Sequence, residues 1–216
     1  MPDLRVLNSK LVDYSQALEQ QLRWVDERKN ESLDNILWLL SHPEVITLGA
    51  SRNSKQNLLS STEIPLVKVS RGGDITYHDP GQLTGYFIFS LKEDQRDLHQ
   101  FLWNIEESLI RCLSEFSITG HRVEGKTGVF VNQKKVCSIG IACRHWITYH
   151  GFSLNFNSNL KNYALMNPCG YSSDLMANLA DIQMNEFKKH IGQSVAQVFN
   201  LNYLGLKDWQ ALPVSK

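Results

Sequence analysis

"GVFVNQKKVCSIGIACRHWITYHGFSLNFN", residues 128–157, decides the fold. Its runs "GVFVN", "KKVCSIGIAC" and "ITYHGFSLNFN" are rich in β-branched and aromatic residues, which favour strands. Only an Asn-Gln break and an Arg-His break separate them. Connections this short join antiparallel neighbours, because a parallel pair needs a crossover of a dozen residues or more. Working outward, residues 97–117 place Leu98, Phe101, Leu102, Ile105, Leu109 and Leu113 at helical spacing. Residues 64–91, "IPLVKVSRGGDITYHDPGQLTGYFIFSL", read as strand, Gly-rich turn, short strand, Pro-Gly turn and strand. In "NILWLLSHPEVITLG", residues 35–49, two apolar runs broken at His42-Pro43-Glu44 predict a hairpin, and residues 49–62 predict an exposed loop.

Residues 13–30 form a first amphipathic helix, with Ala17, Leu18, Leu22 and Val25 on one face. A last helix, "MNEFKKHIGQSVAQVFNL", precedes a short polar tail. Helix, sheet, helix, sheet, helix in mixed order predicts an α+β fold: one domain over residues 1–216, its mixed, largely antiparallel sheet flanked by helices.

The composition narrows the function classes. Lysine plus arginine equals aspartate plus glutamate at 22 each, so there is no basic field for nucleic acid. No run approaches the roughly 18 apolar residues that cross a membrane, and residues 1–16 lack the apolar core of a signal peptide. A soluble, cytoplasmic protein is expected. The four cysteines form no CxxC pair and the seven histidines no ligand spacing, so neither a disulfide framework nor a metal site is expected.

Several segments could carry chemistry. In "RGGDITYH", residues 71–78, two glycines let the backbone approach a ligand and aim amide protons at it. Arg71 there suits a phosphate or carboxylate, although an ordinary hairpin fits the same pattern. His78 leads into the tight turn "HDPGQ". Lys135 shares a strand face with Cys137 and Ile139, so it is either partly buried and usable as a base, or an edge lysine that discourages aggregation. Gly151, after His150 in a strand, marks a bulge or a close approach. In "MNPCGYSS", residues 166–173, Cys169 sits between Pro168 and Gly170 in a run that is neither helix nor strand, where a thiol can be held in a chosen direction. Cys112, Cys137 and Cys143 read as packing, and Glu106 and Glu107 as an exposed helix face.

In this order, "RGG-x-x-TYH", "PGQ", "K-x-x-SIG", "HGFSLN" and "NPCGY" resemble the lipoyl(octanoyl) transferases of lipoate biosynthesis. The motifs span residues 71–173, and the flanking pattern fits from about 34 to 200. The resemblance implies the catalytic-domain fold shared with biotin and lipoate protein ligases. It implies that Cys169 takes an octanoyl group from octanoyl acyl carrier protein as a thioester, with Lys135 as its acid–base partner. The group then passes to a lysine on the lipoyl domains of 2-oxoacid dehydrogenases or on the glycine cleavage H protein.

No cofactor, nucleic acid or membrane is implied, and a monomer is expected. The substrate slot implied comprises Arg71, Gly72, Gly73, Asp74, Ile75, Thr76, Tyr77, His78, Ser138, Ile139, Gly140, His150, Gly151, Phe152 and Ser153. Tyr77 and Phe152 would supply apolar surface, and amides near Gly73 or His78 an oxyanion hole. Arg71, Lys134, Arg144 and Lys161 are candidates for a patch facing the acidic carrier. At position 79 the family commonly has glycine; Asp79 is what the ATP-dependent ligases of the same fold tend to show. Such a ligase is the alternative, and a non-catalytic acyl-binding module a third reading.

Overall fold

The computed structural model describes residues 1–30, 34–167, 173–180 and 182–209. The strands are β1 (Asp3–Leu11), β2 (Asn35–Ser41), β3 (Val45–Leu48), β4 (Leu66–Lys68), β5 (Ile75–His78), β6 (Gln82–Ile88), β7 (His121–Val123), β8 (Lys126–Val131), β9 (Lys134–Arg144), β10 (Ile147–Asn155) and β11 (Asn202–Asp208). The helices are α1 (Tyr14–Lys29), α2 (Leu98–Ser114) and α3 (Met184–Phe199). An eight-stranded sheet runs β11-β1-β2-β6-β10-β9-β8-β7, and a three-stranded sheet runs β4-β3-β5. In the large sheet β1 pairs in parallel with β2 and with β11, and the other neighbouring strands pair antiparallel. The fold is that of a single mixed, mostly antiparallel α+β domain.

The three strands of the opening stretch are β8, β9 and β10. Their turns lie at Asn132-Gln133 and His145-Trp146, all four residues with positive φ. That backbone twists in the sense that antiparallel strands need.

β2 is buried along its whole length because both its faces are covered. Ile36, Trp38 and Leu40 pack toward α1 with Ala17, Trp24 and Val25. Leu37 and Leu39 face the opposite core with Phe101, Ile105 and Leu109 of α2 and Phe187, Ile191 and Val195 of α3. Alternation along a strand sends these residues to opposite layers.

The predicted hairpin at His42-Pro43-Glu44 is not formed. β2 pairs with β1 and β6, whereas β3 pairs with β4 and β5, so the break carries the chain from the large sheet to the small one. Two strands lay outside the sequence reading. β1 and β11 pair in parallel across nearly the whole chain, Asp3 opposite Asn202, and the predicted polar tail includes β11. Among the described residues no helix is long and apolar enough to cross a membrane.

Candidate active site

A cavity of about 40 Å³ lies where the large sheet meets β5 and the start of α1. Of the predicted slot residues, Arg71, Gly73, Ile75, Thr76, His78, Ser138, Ile139, Gly140, His150, Gly151, Phe152 and Ser153 line it, together with Lys135. Tyr14, Thr84 and Tyr86 line it as well and were not predicted. Faint signals existed for them. Tyr14 lies three residues before Ala17 on the apolar face of α1, and Thr84 and Tyr86 share the strand face of Gln82 along β6. The Asp13 carboxylate caps α1 by accepting from the Ser15 and Gln16 amides, which fixes Tyr14 as the first helical residue.

Gly72, Asp74 and Tyr77 do not line the cavity. The Gly72 N–H donates to Ile141 O at 2.7 Å, and a Cβ on Gly140 would come within 2.6 Å of Gly72 O, so these glycines let two backbones touch. Asp74 accepts from Asn57 Nδ2 and from the Ile75 amide, which shapes its own loop. Tyr77, expected to face the acyl slot, points the other way because alternate residues of β5 face opposite sides. It packs with Ile46, Tyr163 and Met166, and its hydroxyl donates to Glu44.

The chemistry-bearing groups are buried. Arg71 is held against β3, Nη2 donating to Thr47 Oγ1 at 2.8 Å and to Thr47 O at 3.1 Å. His42, read only as part of a turn, donates from Nδ1 to Val12 O at 2.7 Å, which leaves Nε2 to accept from the Tyr86 hydroxyl at 2.6 Å. The His78 ring stacks on Tyr14 at 5.6 Å. Burial pushes His42 down to about 4. Burial, then the Arg71 charge, pushes His150 down to about 3. Burial, then the neighbouring His42 and Arg71, holds His78 well below the ordinary histidine value. All three imidazoles are therefore neutral at neutral pH.

His150 has left-handed backbone, φ +61°, inside β10. Neighbouring strand residues normally point to opposite faces, yet its ring stands 4.9 Å from that of Tyr149. Its amide donates to Oε1 of the buried Gln21 at 2.8 Å. His150 is 1% exposed, and both its ring nitrogens, with the hydroxyls of Thr76 and Thr84, find no hydrogen-bond partner among the described residues. They line the cavity and are available to whatever enters it. The glycine in this strand answers a close approach: a Cβ on Gly151 would collide with Gly85 O across the β6–β10 pair.

Lys135 is 5% exposed at the other end of the cavity. Its strand position is six residues from Ile141, the partner of His150, so the two backbone positions lie roughly 20 Å apart along β9. Cys137 is wholly buried and burial pushes its thiol up, so it packs, as does the wholly buried Cys112.

The chain after β9 returns to Lys135: Lys134 Nζ donates to Asp174 O at 2.6 Å, the Ala177 amide donates to Lys135 O at 3.0 Å, and Met176 bridges Lys135. On the near side, the Asn167 amide donates to Asn57 O at 2.8 Å. Cys169, with Pro168 and Gly170, lies outside the described residues. Asp79 turns away from the cavity. Its carboxylate accepts from the Gly81 amide, the Ser158 hydroxyl and the Asn159 amide, tying the Pro-Gly turn to the chain after β10.

Two surface expectations change. Arg71 is buried and cannot contribute to a docking patch, whereas Arg144 stays exposed beside Asp26 at 3.7 Å. Glu106, expected on an exposed helix face, is buried, and Glu107 is half-buried.

Residues 13–196 match the family described as the lipoyl protein ligase A/B catalytic domain. An octanoyltransferase of Thermoanaerobacter sp. (strain X514) is 37% identical over 207 residues, covering 92% of this chain and 91% of that protein. An octanoyltransferase of Caldicellulosiruptor bescii is 45% identical over 167 residues, covering 74% of this chain and 73% of that one. Among solved structures, a bi-partite lipoate protein ligase from Thermoplasma acidophilum, described with its E2 lipoyl domain, superposes with a TM-score of 0.75 at 14% identity, covering 97% of this chain and 88% of that one. The last likeness is one of fold.

Proposed function

We infer the activity from kinship: this chain belongs to the lipoyl protein ligase A/B catalytic-domain family, and its relatives at 37% and 45% identity are octanoyltransferases. It is an octanoyltransferase of lipoate biosynthesis, and its acceptor is a protein. The donor we propose is octanoyl acyl carrier protein. The acceptors we propose are the lipoyl domains of 2-oxoacid dehydrogenases and the glycine cleavage H protein.

We propose Cys169 as the nucleophile and Lys135 as its acid–base partner. Lys135 takes the Cys169 proton, and the thiolate attacks the octanoyl carbonyl. The bond from that carbonyl to the carrier's sulfur breaks, and the departing thiolate takes the proton from Lys135. In the second half the acceptor lysine amine attacks the Cys169 thioester. An amide forms, the Cys169 sulfur leaves, and Lys135 carries a proton from the amine to that sulfur. The incoming thioester is already activated, so no ATP is consumed.

The observation that carries this reading is the position of Lys135. It is a buried residue lining the cavity, with the chain that follows residues 168–172 hydrogen-bonded to its own backbone. At about 40 Å³ the cavity is smaller than an octanoyl chain, so this reading requires its walls to part on binding. The Asp79 carboxylate is committed to the Pro-Gly turn.

Intact-protein mass spectrometry after mixing with octanoyl carrier protein, without ATP, tests the reading. A hydroxylamine-labile octanoyl adduct is expected on wild type. It should be absent in Cys169→Ser and slowed roughly 100- to 10,000-fold in Lys135→Ala. Product that needs ATP and free octanoate and survives Cys169→Ser would move the chain to the ligases.

A further inference from the structure

Glu106 is a charged residue on the buried side of α2, 8% exposed. A buried carboxylate is costly unless paired and hydrogen-bonded, and this one is both. Oε2 accepts from Arg122 Nε at 3.0 Å, and Oε1 accepts from the Gly128 amide at 2.8 Å. Arg122 is itself fixed: Nη2 donates to Glu107 Oε2 and to Trp103 O, each at 3.0 Å, and the guanidinium lies 4.2 Å over the Trp103 ring.

Gly128, at the far end of this chain of contacts, is the bed of the Lys135 amine. Its φ is +136°, and a Cβ there would lie 2.7 Å from Lys135 Cε and 3.3 Å from Nζ. The hairpin register shifts at this point, between Val129 and Phe130. Among the described residues no hydrogen bond or ion pair fixes Lys135 Nζ. Its place is therefore set by the backbone beneath it, and that backbone is the one Glu106 holds.

We propose that Glu106, braced by Arg122, is a positioning residue for Lys135. By holding the Gly128 amide it sets the bed on which the amine lies. The inference rests on Lys135 being the acid–base group. Reach to the amide matters more than charge, so Gln and Asp at this position separate the two. Gln keeps one oxygen at the right distance for the Gly128 amide but turns an NH2 toward Arg122 Nε and loses that acceptor; Asp keeps the charge but is one methylene short.

Single-turnover octanoylation of the full chain, measured against octanoyl carrier protein concentration, provides the test. Glu106→Asp and Glu106→Ala are expected to lower the maximal rate roughly tenfold to a hundredfold. The carrier concentration at half-maximal rate should stay within about twofold, since the amine's placement changes and substrate binding does not. Glu106→Gln, which keeps the acceptor for the Gly128 amide but not the one for Arg122, is expected to retain more of the rate than Glu106→Asp. Circular-dichroism melts identify which variants are folded at the assay temperature. If Glu106→Ala does not fold, the Gln-against-Asp comparison decides. Asp equal to Gln, or a folded Glu106→Ala at the wild-type rate while Lys135→Ala is inactive, would overturn the proposal. Lys135→Ala at the wild-type rate would overturn the underlying reading as well.

Discussion

Gly128 shows how much one missing methyl group can decide. Its φ of +136° lies in the range that favours glycine, and a Cβ would meet Cys137 O as well as the Lys135 side chain. Gly128→Ala is expected to cost about 2–4 kcal/mol, from backbone strain and overpacking together, read from the urea midpoint. The surviving folded protein should also acylate slowly, because the lysine must move. The sequence reading placed Lys135 on a strand face and left it between base and edge residue; the packing makes it buried. Glu106 was misread for a local reason. A helix pattern shows which face a residue is on, but the buried partners that tolerate a carboxylate there, Arg122 and the Gly128 amide, lie 16 and 22 residues away.

At the scale of elements, β6 and β10 meet through Gly85 and Gly151. A Cβ on Gly151 would strike Gly85 O, and one on Gly85 would strike the Phe152 ring. Gly151→Ala is expected to lose about 1–3 kcal/mol, because backbone at the centre of a paired sheet cannot easily yield. Equilibrium urea unfolding measures it, and a change below about 0.5 kcal/mol would show that the pair has slack. The three strands of residues 128–157 were legible because their partners are adjacent in sequence, joined by two-residue turns. β11 was not, because its partner β1 lies about 200 residues away, and β1 was not, because it is held between β11 and β2 by parallel pairing across α1. The predicted hairpin at His42 failed for the same reason: two apolar runs separated by a proline look alike whether they pair together or enter different sheets.

At the scale of the whole molecule, α1, the β2–β3 connection, β5 and β10 converge on a buried group of three neutral histidines. Their folded values are depressed below the ordinary value of about 6.5. The unfolded chain therefore binds more protons once the pH falls below that value. Stability is fully present above about pH 6.5 and is lost as the pH falls toward the folded values, about 4 for His42. His42 alone accounts for about 2 kcal/mol of that loss at pH 5. Thermal melts from pH 7 to pH 5 should show the decline, with a shallower slope in His42→Gln; parallel slopes would remove His42 from the account.

By itself the sequence determined the α+β class, the central antiparallel strands, the three helices and the order of motifs that gather at the site. Those are local quantities: spacing, turn residues, and glycines where backbones crowd. Only the tertiary structure decided which residues face the cavity, that Tyr77 turns to the small sheet's core and Asp79 to the Pro-Gly turn, and that Tyr14 and Tyr86 join the site. It alone brought Glu106 beneath Lys135. The reason is physical: a side chain's direction depends on its own backbone, but its burial, partners and charge state depend on segments that only folding brings near.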